Sequence, residues 1–111
     1  MQLKPWGSHE TLLEADNFKV KRLIIKPKAR ISLQYHNFRS EHWVIVKGEA
    51  KVTIGDDEIF GKPNMHFFIP KGVKHRIENV GKEDLVIIEV QFGEKVDEND
   101  IVRLQDDYGR T

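Results

Sequence analysis

Two imidazoles, a carboxylate and a carboxamide, gathered in two short segments, are the residues of this 111-residue chain with the clearest chemical potential. The first segment is Gln34-Tyr-His36 with Glu41 five residues beyond, and the second is Pro70-Lys-Gly72-Val-Lys-His75. Imidazole nitrogen and carboxylate oxygen together suit Zn, Fe, Mn or Co, and a cation needs donors converging from separate elements. Gln34, His36, Glu41 and His75 are therefore the expected ligands of a divalent metal. The chain has no cysteine, which excludes thiolate zinc sites and disulfides and fits a reducing compartment.

The elements that must position these donors are strands. Glycines at 48, 55, 61, 72, 81 and 93 separate β-rich runs over 18–25, 31–35, 42–46, 50–54, 65–69, 75–78 and 85–92. Short strands at this spacing, with turn signals between them, predict an all-β sandwich or barrel. Gly55-Asp56-Asp57, Pro63-Asn64 and Pro70-Lys71-Gly72 read as turns. Pro5-Trp6-Gly7 reads as an N-terminal strand anchor, with Trp6 as a wall of the pocket or of a dimer contact. Residues 101–104 suit a last short strand or a helical turn, and the acidic run 94–100 reads as a solvated loop. Trp43, Phe67 and Phe68 are expected core aromatics. A single domain over 1–111 is expected.

Side chains two apart on a strand share a face, so Ser32, Gln34 and His36 point one way. Glu41 has the wrong parity for the same strand, but the polar stretch Asn37 to Ser40 reads as a turn, after which Glu41 opens the next strand. His75 stands three residues past the Gly72 turn. All four donors then lie at strand ends. Ile31, Leu33, Tyr35, Val44 and Val46 fall on the opposite, outward face and need a cover, for which a homodimer is the economical expectation.

Charge narrows the partners further. Lys+Arg and Asp+Glu both total 18, which gives no sign of nucleic acid or an anionic membrane as partner. The apolar runs 43–46 and 85–88 are far too short to span a bilayer, and the N-terminus lacks a signal-peptide apolar stretch. A cytoplasmic protein is expected.

These residues resemble the two motifs of the cupin superfamily, jelly-roll barrels of the double-stranded β-helix type. The first motif reads Lys28, Gln34-x-His36, Glu41, Gly48, and the second Asn64, Pro70-x-Gly72-x-x-His75-x-x-x-Asn79. Lys28 and Asn64 stand where the motifs have glycine, and Gln34 stands where the first has histidine. Gln-x-His, Glu and a distant His is similar to the set of phosphomannose isomerases. Lys4-Pro-Trp-Gly7, Arg39-x-Glu41-His-Trp43, Ile88-Glu-Val-Gln91, Asp100-Ile-Val-Arg103 and Asp107-Tyr-Gly-Arg110 resemble the type II isomerase domain, often fused behind a mannose-1-phosphate guanylyltransferase. Asn37 and Phe38 depart from a histidine-rich stretch usual there. Nothing in the chain resembles the guanylyltransferase's nucleotide-binding segment.

The resemblance implies an aldose–ketose isomerase interconverting mannose 6-phosphate and fructose 6-phosphate, with a divalent metal: zinc first, then Mn, Co, Fe or Ni. The general base is expected at Glu89, a polar residue on an aliphatic strand, or at His42. Arg39, Lys74, Arg76 and Arg110 are the candidates for the substrate's phosphate, and the Tyr108-Gly-Arg110 tail is expected to fold back over the site. The competing expectations are a non-catalytic cupin binding a sugar or sugar nucleotide, and another metal-dependent cupin enzyme such as an oxygenase. The neutral Gln34 argues against a standard iron oxygenase site.

Overall fold

Alternating burial along the strands sorts one face of each inward and closes two antiparallel sheets over a shared interior. The computed structural model describes all 111 residues, Met1–Thr111. Its eleven strands are β1 (Gln2–Lys4), β2 (Gly7–Glu14), β3 (Phe18–Ile25), β4 (Leu33–Tyr35), β5 (Arg39–Lys47), β6 (Ala50–Ile54), β7 (Asp57–Gly61), β8 (His66–Ile69), β9 (His75–Asn79), β10 (Leu85–Gly93) and β11 (Val102–Gln105). One sheet has the order β1-β2-β3-β10-β5-β8 and the other β11-β4-β9-β6-β7. This is an all-β double-stranded β-helix, and it has no helix long and apolar enough to cross a membrane.

The core explains the register. Ile25, Trp43, Ile45, Val52, Ile77, Leu85 and Ile87 are shielded from solvent and fill the space between the sheets. Leu23, Ile87 and Ile45 lie side by side across β3, β10 and β5, so a slip of one residue in any of these strands would turn its apolar set to solvent.

The β-rich runs of the sequence miss the N-terminal hairpin β1–β2 and the strand β7. β7 carries Asp57 and Glu58 and is an exposed edge apart from Gly61, which hides its alternation. Phe68 is another difference: it lies on the outer face of β8, about half exposed, stacked on His42 rather than in the core. Ile31 precedes β4 in irregular backbone, so strand parity does not apply and it turns inward to the core. Val44 and Val46 do face outward.

The two motif positions that lack glycine keep its backbone. Lys28 has φ 68° and Asn64 φ 75°, the only non-glycine residues with positive φ. The left-handed conformation costs a side-chain-bearing residue about 1–2 kcal/mol, less for Asn. These two turns thus keep a glycine-like backbone that the surrounding fold holds in shape.

Candidate functional site

Three strand ends bring the donors together. His36 follows directly on β4, Glu41 belongs to the inward set Arg39, Glu41, Trp43, Ile45 of β5, and His75 opens β9. All three are buried, and their ligating atoms lie within 4.8 Å of one another. The two imidazole centres are 5.0 Å apart.

Hydrogen bonds decide what these rings can do. Nδ1 of His36 is 2.5 Å from the carbonyl oxygen of Asp100, and Nδ1 of His75 is 2.9 Å from that of Val73. A carbonyl can only accept, so both Nδ1 atoms donate and both Nε2 atoms are left with lone pairs. Those lone pairs face Glu41, with His36 Nε2 3.1 Å from Oε2 and His75 Nε2 3.8 Å from Oε1. Arg39 already places positive charge among these acceptors, its Nη2 3.3 Å from His36 Nε2 and its Nε 2.9 Å from Glu41 Oε2, and a divalent cation would add more. Burial alone would raise Glu41, but a hydrogen bond from His36 and the charges of His75 and His36, wherever those rings are protonated, together with the charge of Arg39, hold it well below the usual carboxylate range. Burial pushes His75 down, toward the neutral form that ligates metals.

Gln34 lies across the sheet from His75. Its amide nitrogen donates to Ser32 Oγ at 3.0 Å and to the Ser32 carbonyl at 3.3 Å, which leaves its carbonyl oxygen free. An oxygen, two imidazole nitrogens and a carboxylate form a chemically coherent set for a divalent cation, and the cluster of His36, Glu41 and His75 can hold one.

A second carboxylate lies one strand away. Glu89, on β10, is paired with Trp43 in the register, and Trp43 Nε1 donates to Glu89 Oε2 at 3.0 Å and to Glu41 Oε1 at 3.1 Å. Gln91 Nε2 donates to Glu89 Oε1 at 2.7 Å. Burial, then the negative charge of Glu41, push Glu89 up to about 8. One indole N–H therefore ties together two carboxyl groups of opposite tendency.

These groups open onto a cavity of about 280 Å³ between the sheets, which Gln34, Arg39, Glu41, His75, Glu89 and Arg110 help to line. Arg39 donates Nε to Glu41 Oε2 at 2.9 Å and Nη1 to the Asp97 carbonyl at 3.0 Å. The C-terminal tail is tied down as well: Arg30 and Asp107 form a two-pronged ion pair, and Tyr108 donates its hydroxyl to the Arg30 carbonyl at 3.0 Å.

Three of the residues singled out from the sequence lie elsewhere. His42 has the opposite parity to Glu41 and is exposed on the outer sheet face. Lys74 pairs with Asp56 at 3.2 Å at the surface. Arg76 lies on the far side of β9 from His75, donating Nε to the Ile31 carbonyl at 2.9 Å and Nη1 to Gln105 Oε1 at 2.8 Å. None of these three lines the cavity. Asn37 and Phe38 are exposed, so their departure from the histidine-rich stretch removes no group from the interior.

The 94–100 segment is largely exposed, as expected of a solvated loop, but it also straps the site, with Glu98 lining the cavity and Asp100 buried. Its Asp100 carbonyl fixes His36, and the Asp100 carboxylate accepts from the main-chain N–H groups of Asn37 and Phe38, both at 2.9 Å. Lys19 and Lys21, in the family-like stretch Phe18-Lys-Val-Lys-Arg22, and Arg103, in Asp100-Ile-Val-Arg103, were given no role in the site from the sequence, and neither was His9. The signal for the lysines was parity: 19 and 21 share a strand face with the core residues Leu23 and Ile25.

Known proteins share this arrangement of chain. The family described as "Mannose-6-phosphate isomerase C-terminal" matches residues 2–106. The chain is 47% identical over 108 residues to the xanthan biosynthesis protein XanB of Xanthomonas campestris pv. campestris, covering 97% of this chain and 23% of that protein. It is 45% identical over 108 residues to a mannose-1-phosphate guanylyltransferase of Escherichia coli, covering 96% and 22% respectively. The chain thus spans under a quarter of the length of these relatives. Among solved structures, the capsular polysaccharide assembling protein CapF of Staphylococcus aureus superposes with a TM-score of 0.83 at 27% identity, over 95% of this chain and 32% of that one. The cupin domain of Cnp3 from Schizosaccharomyces pombe, at 19% identity, covers 77% of this chain and 63% of its own with a TM-score of 0.74, and shares the fold. With nearly its whole length matched, the chain belongs to the mannose-6-phosphate isomerase C-terminal family of cupin domains.

Proposed function

We propose that the chain is a metal-dependent isomerase interconverting mannose 6-phosphate and fructose 6-phosphate. The observation that carries this reading is the inward-facing His36–Glu41–His75 cluster, opening beside a second buried carboxyl group, Glu89, into a sugar-sized cavity. The family's description and the mannose phosphate chemistry in the name of the E. coli relative support the substrate class.

Gln34, His36, Glu41 and His75 would hold the cation. When bound, a divalent metal supplies Lewis-acid polarisation of the sugar's C1 and C2 oxygens, which lowers the barrier by several kcal/mol. Glu89 takes the proton from C2 on one carboxylate oxygen and returns it to C1, so the interconversion passes through an enediol and leaves atoms and electrons unchanged in number. A positioned base of this kind is worth roughly 10²–10⁴-fold. Trp43 and Gln91 each donate to one Glu89 oxygen and fix its plane. Arg39 and Arg110 reach the same cavity and are the substrate-binding arginines of this reading.

The protein acts as a homodimer in this proposal, through the outer face of the six-stranded sheet. Val44, Val46, Phe68 and Phe92 are all substantially exposed there, an apolar surface that favours association. A coupled assay forming fructose 6-phosphate from mannose 6-phosphate tests the activity. Turnover that is lost with a chelator and restored by zinc is expected. Tight sugar phosphate binding with no turnover in any metal would replace this reading with a binding cupin.

A further inference from the structure

Two buried ammonium groups, one lining the cavity and the other next to it on the same strand face, have no part in holding a cation. Lys19 and Lys21 project inward from β3 with side chains only 7% and 4% exposed. Long charged side chains are rarely buried without a matching anion. Lys19 has Glu14 at 3.1 Å and Glu98 at 3.5 Å, whereas Lys21 is paired with Glu98 alone. Glu98 reaches them from the strap at 94–100, and more than half of its own side chain is exposed. Two further buried nitrogens lining the same cavity lack partners: Nδ1 of His9, a residue 7% exposed, and Nε of Arg103. This is more anion-binding capacity than two half-exposed glutamates use.

We propose that Lys21, with Lys19 behind it and with His9 and Arg103 on the same cavity wall, forms a subsite for a phosphate monoester, and that Glu98 is a built-in competitor holding it until the phosphate arrives. The proposal rests on the sugar phosphate reading and assigns the phosphate a different place from the one expected of Arg39, Lys74, Arg76 and Arg110, leaving Arg39 and Arg110 to the rest of the substrate. Register supports the distance: Lys19 lies opposite Gln91 on the neighbouring strand and Gln91 opposite the ligand Glu41 on the next, with Lys21 at the next inward position of β3. Two strand spacings amount to about 10 Å, which suits a hexose whose C1 and C2 lie at the cation cluster and whose C6 phosphate lies at β3. Burial would raise Glu98, but the hydrogen bond and charge of Lys21 and the charge of Lys19 lower it to about 2, so it stays an anion that a dianionic phosphate must displace. The strap then does two jobs. Asp100 holds His36 in place while Glu98, two residues earlier, screens the lysines.

The test is titration calorimetry of the whole chain with inorganic phosphate, mannose 6-phosphate and unphosphorylated mannose at fixed ionic strength. Glu98→Gln, checked to be folded by circular dichroism, should tighten inorganic phosphate and mannose 6-phosphate by about tenfold and leave mannose unchanged. Lys21→Met should weaken both phosphates by about tenfold or more, again without affecting mannose. Unchanged or weaker phosphate binding in Glu98→Gln overturns the proposal even if Lys21→Met fails to fold, as does unchanged binding in a folded Lys21→Met. The readout needs no turnover. Phosphate competition in a chain that never isomerises sugar would remove the isomerase reading alone, and isomerisation without competition would remove this subsite alone.

Discussion

The two ends of the barrel interior are built on the same strands and could hardly differ more. Along β3 the inward residues run Lys19, Lys21, then Leu23, Ile25, and along β10 they run Gln91, Glu89, then Ile87, Leu85. Along β5 they run Arg39, Glu41, then Trp43, Ile45. At one level across the sheet the interior changes from aliphatic to ionisable, with the Trp43 indole as the boundary: its ring packs in the core and its N–H holds both Glu41 and Glu89. The apolar end follows from the hydrophobic effect alone. Buried charge at the other end opposes folding unless it is paired, so its concentration there marks where the fold is used rather than where it is stabilised.

The comparison can be broken at either end. The largest effect expected is from His36→Ala or His75→Ala, which should remove bound metal and lower turnover by about 10³-fold or more. Elemental analysis beside the coupled assay checks both, and a variant that is metal-free yet fully active would count against the ligand set. Ile87→Ala and Glu89→Gln, neighbours in parity on β10, then separate the two roles. Ile87→Ala should cost about 2–5 kcal/mol of stability in denaturant unfolding while bound metal is retained. Glu89→Gln should lower turnover about 10²-fold with metal content and unfolding midpoint little changed. If both substitutions acted mainly on stability, the division of the interior would be wrong.

Smaller effects sharpen the boundary. Asp100→Ala removes the carboxylate that fixes the Asn37 and Phe38 N–H groups and loosens the segment holding His36. A loss of about 10–100-fold in metal affinity is expected, as for other outer partners of metal-binding histidines, and competition with a coloured chelator measures it. The smallest effect is one of pH. Burial first, then Lys21, lower His9 to about 4 in the folded state, from about 6.5. Between those values the unfolded chain binds more protons, so stability present above about pH 6.5 is lost as pH falls toward 4. His9→Gln should flatten the melting temperature across that window relative to the parent, and parallel curves would argue against a buried neutral His9.

Much of this was legible in the sequence, for local reasons. The period-two runs, the glycine turns and the two motifs carry their information within a few residues, so the all-β fold and the grouping of His36, Glu41 and His75 could be read without coordinates. What escaped depends on long-range placement. The β1–β2 hairpin joins the sheet through β3, and the strap at 94–100 looks like solvated acid until Asp100 is seen bonded to His36, 64 residues away. Lys19 and Lys21 alternate with Val20, which suggests lysines outward, and only the later Leu23 and Ile25 fix the phase. Arg76 and Lys74 neighbour a ligand in sequence, but adjacent strand residues face apart. Lys28 and Asn64 show the converse: the glycine-like backbone persists where the residue type argues against it.

The most direct test is calorimetric titration of Zn²⁺ into chelator-treated protein and into the His36→Ala/His75→Ala double variant. One equivalent bound by the parent and none by the variant, with both chains folded by circular dichroism, is the predicted result. Equal binding by the two, or no binding by the parent with Zn²⁺, Mn²⁺, Co²⁺, Fe²⁺ or Ni²⁺, would contradict it.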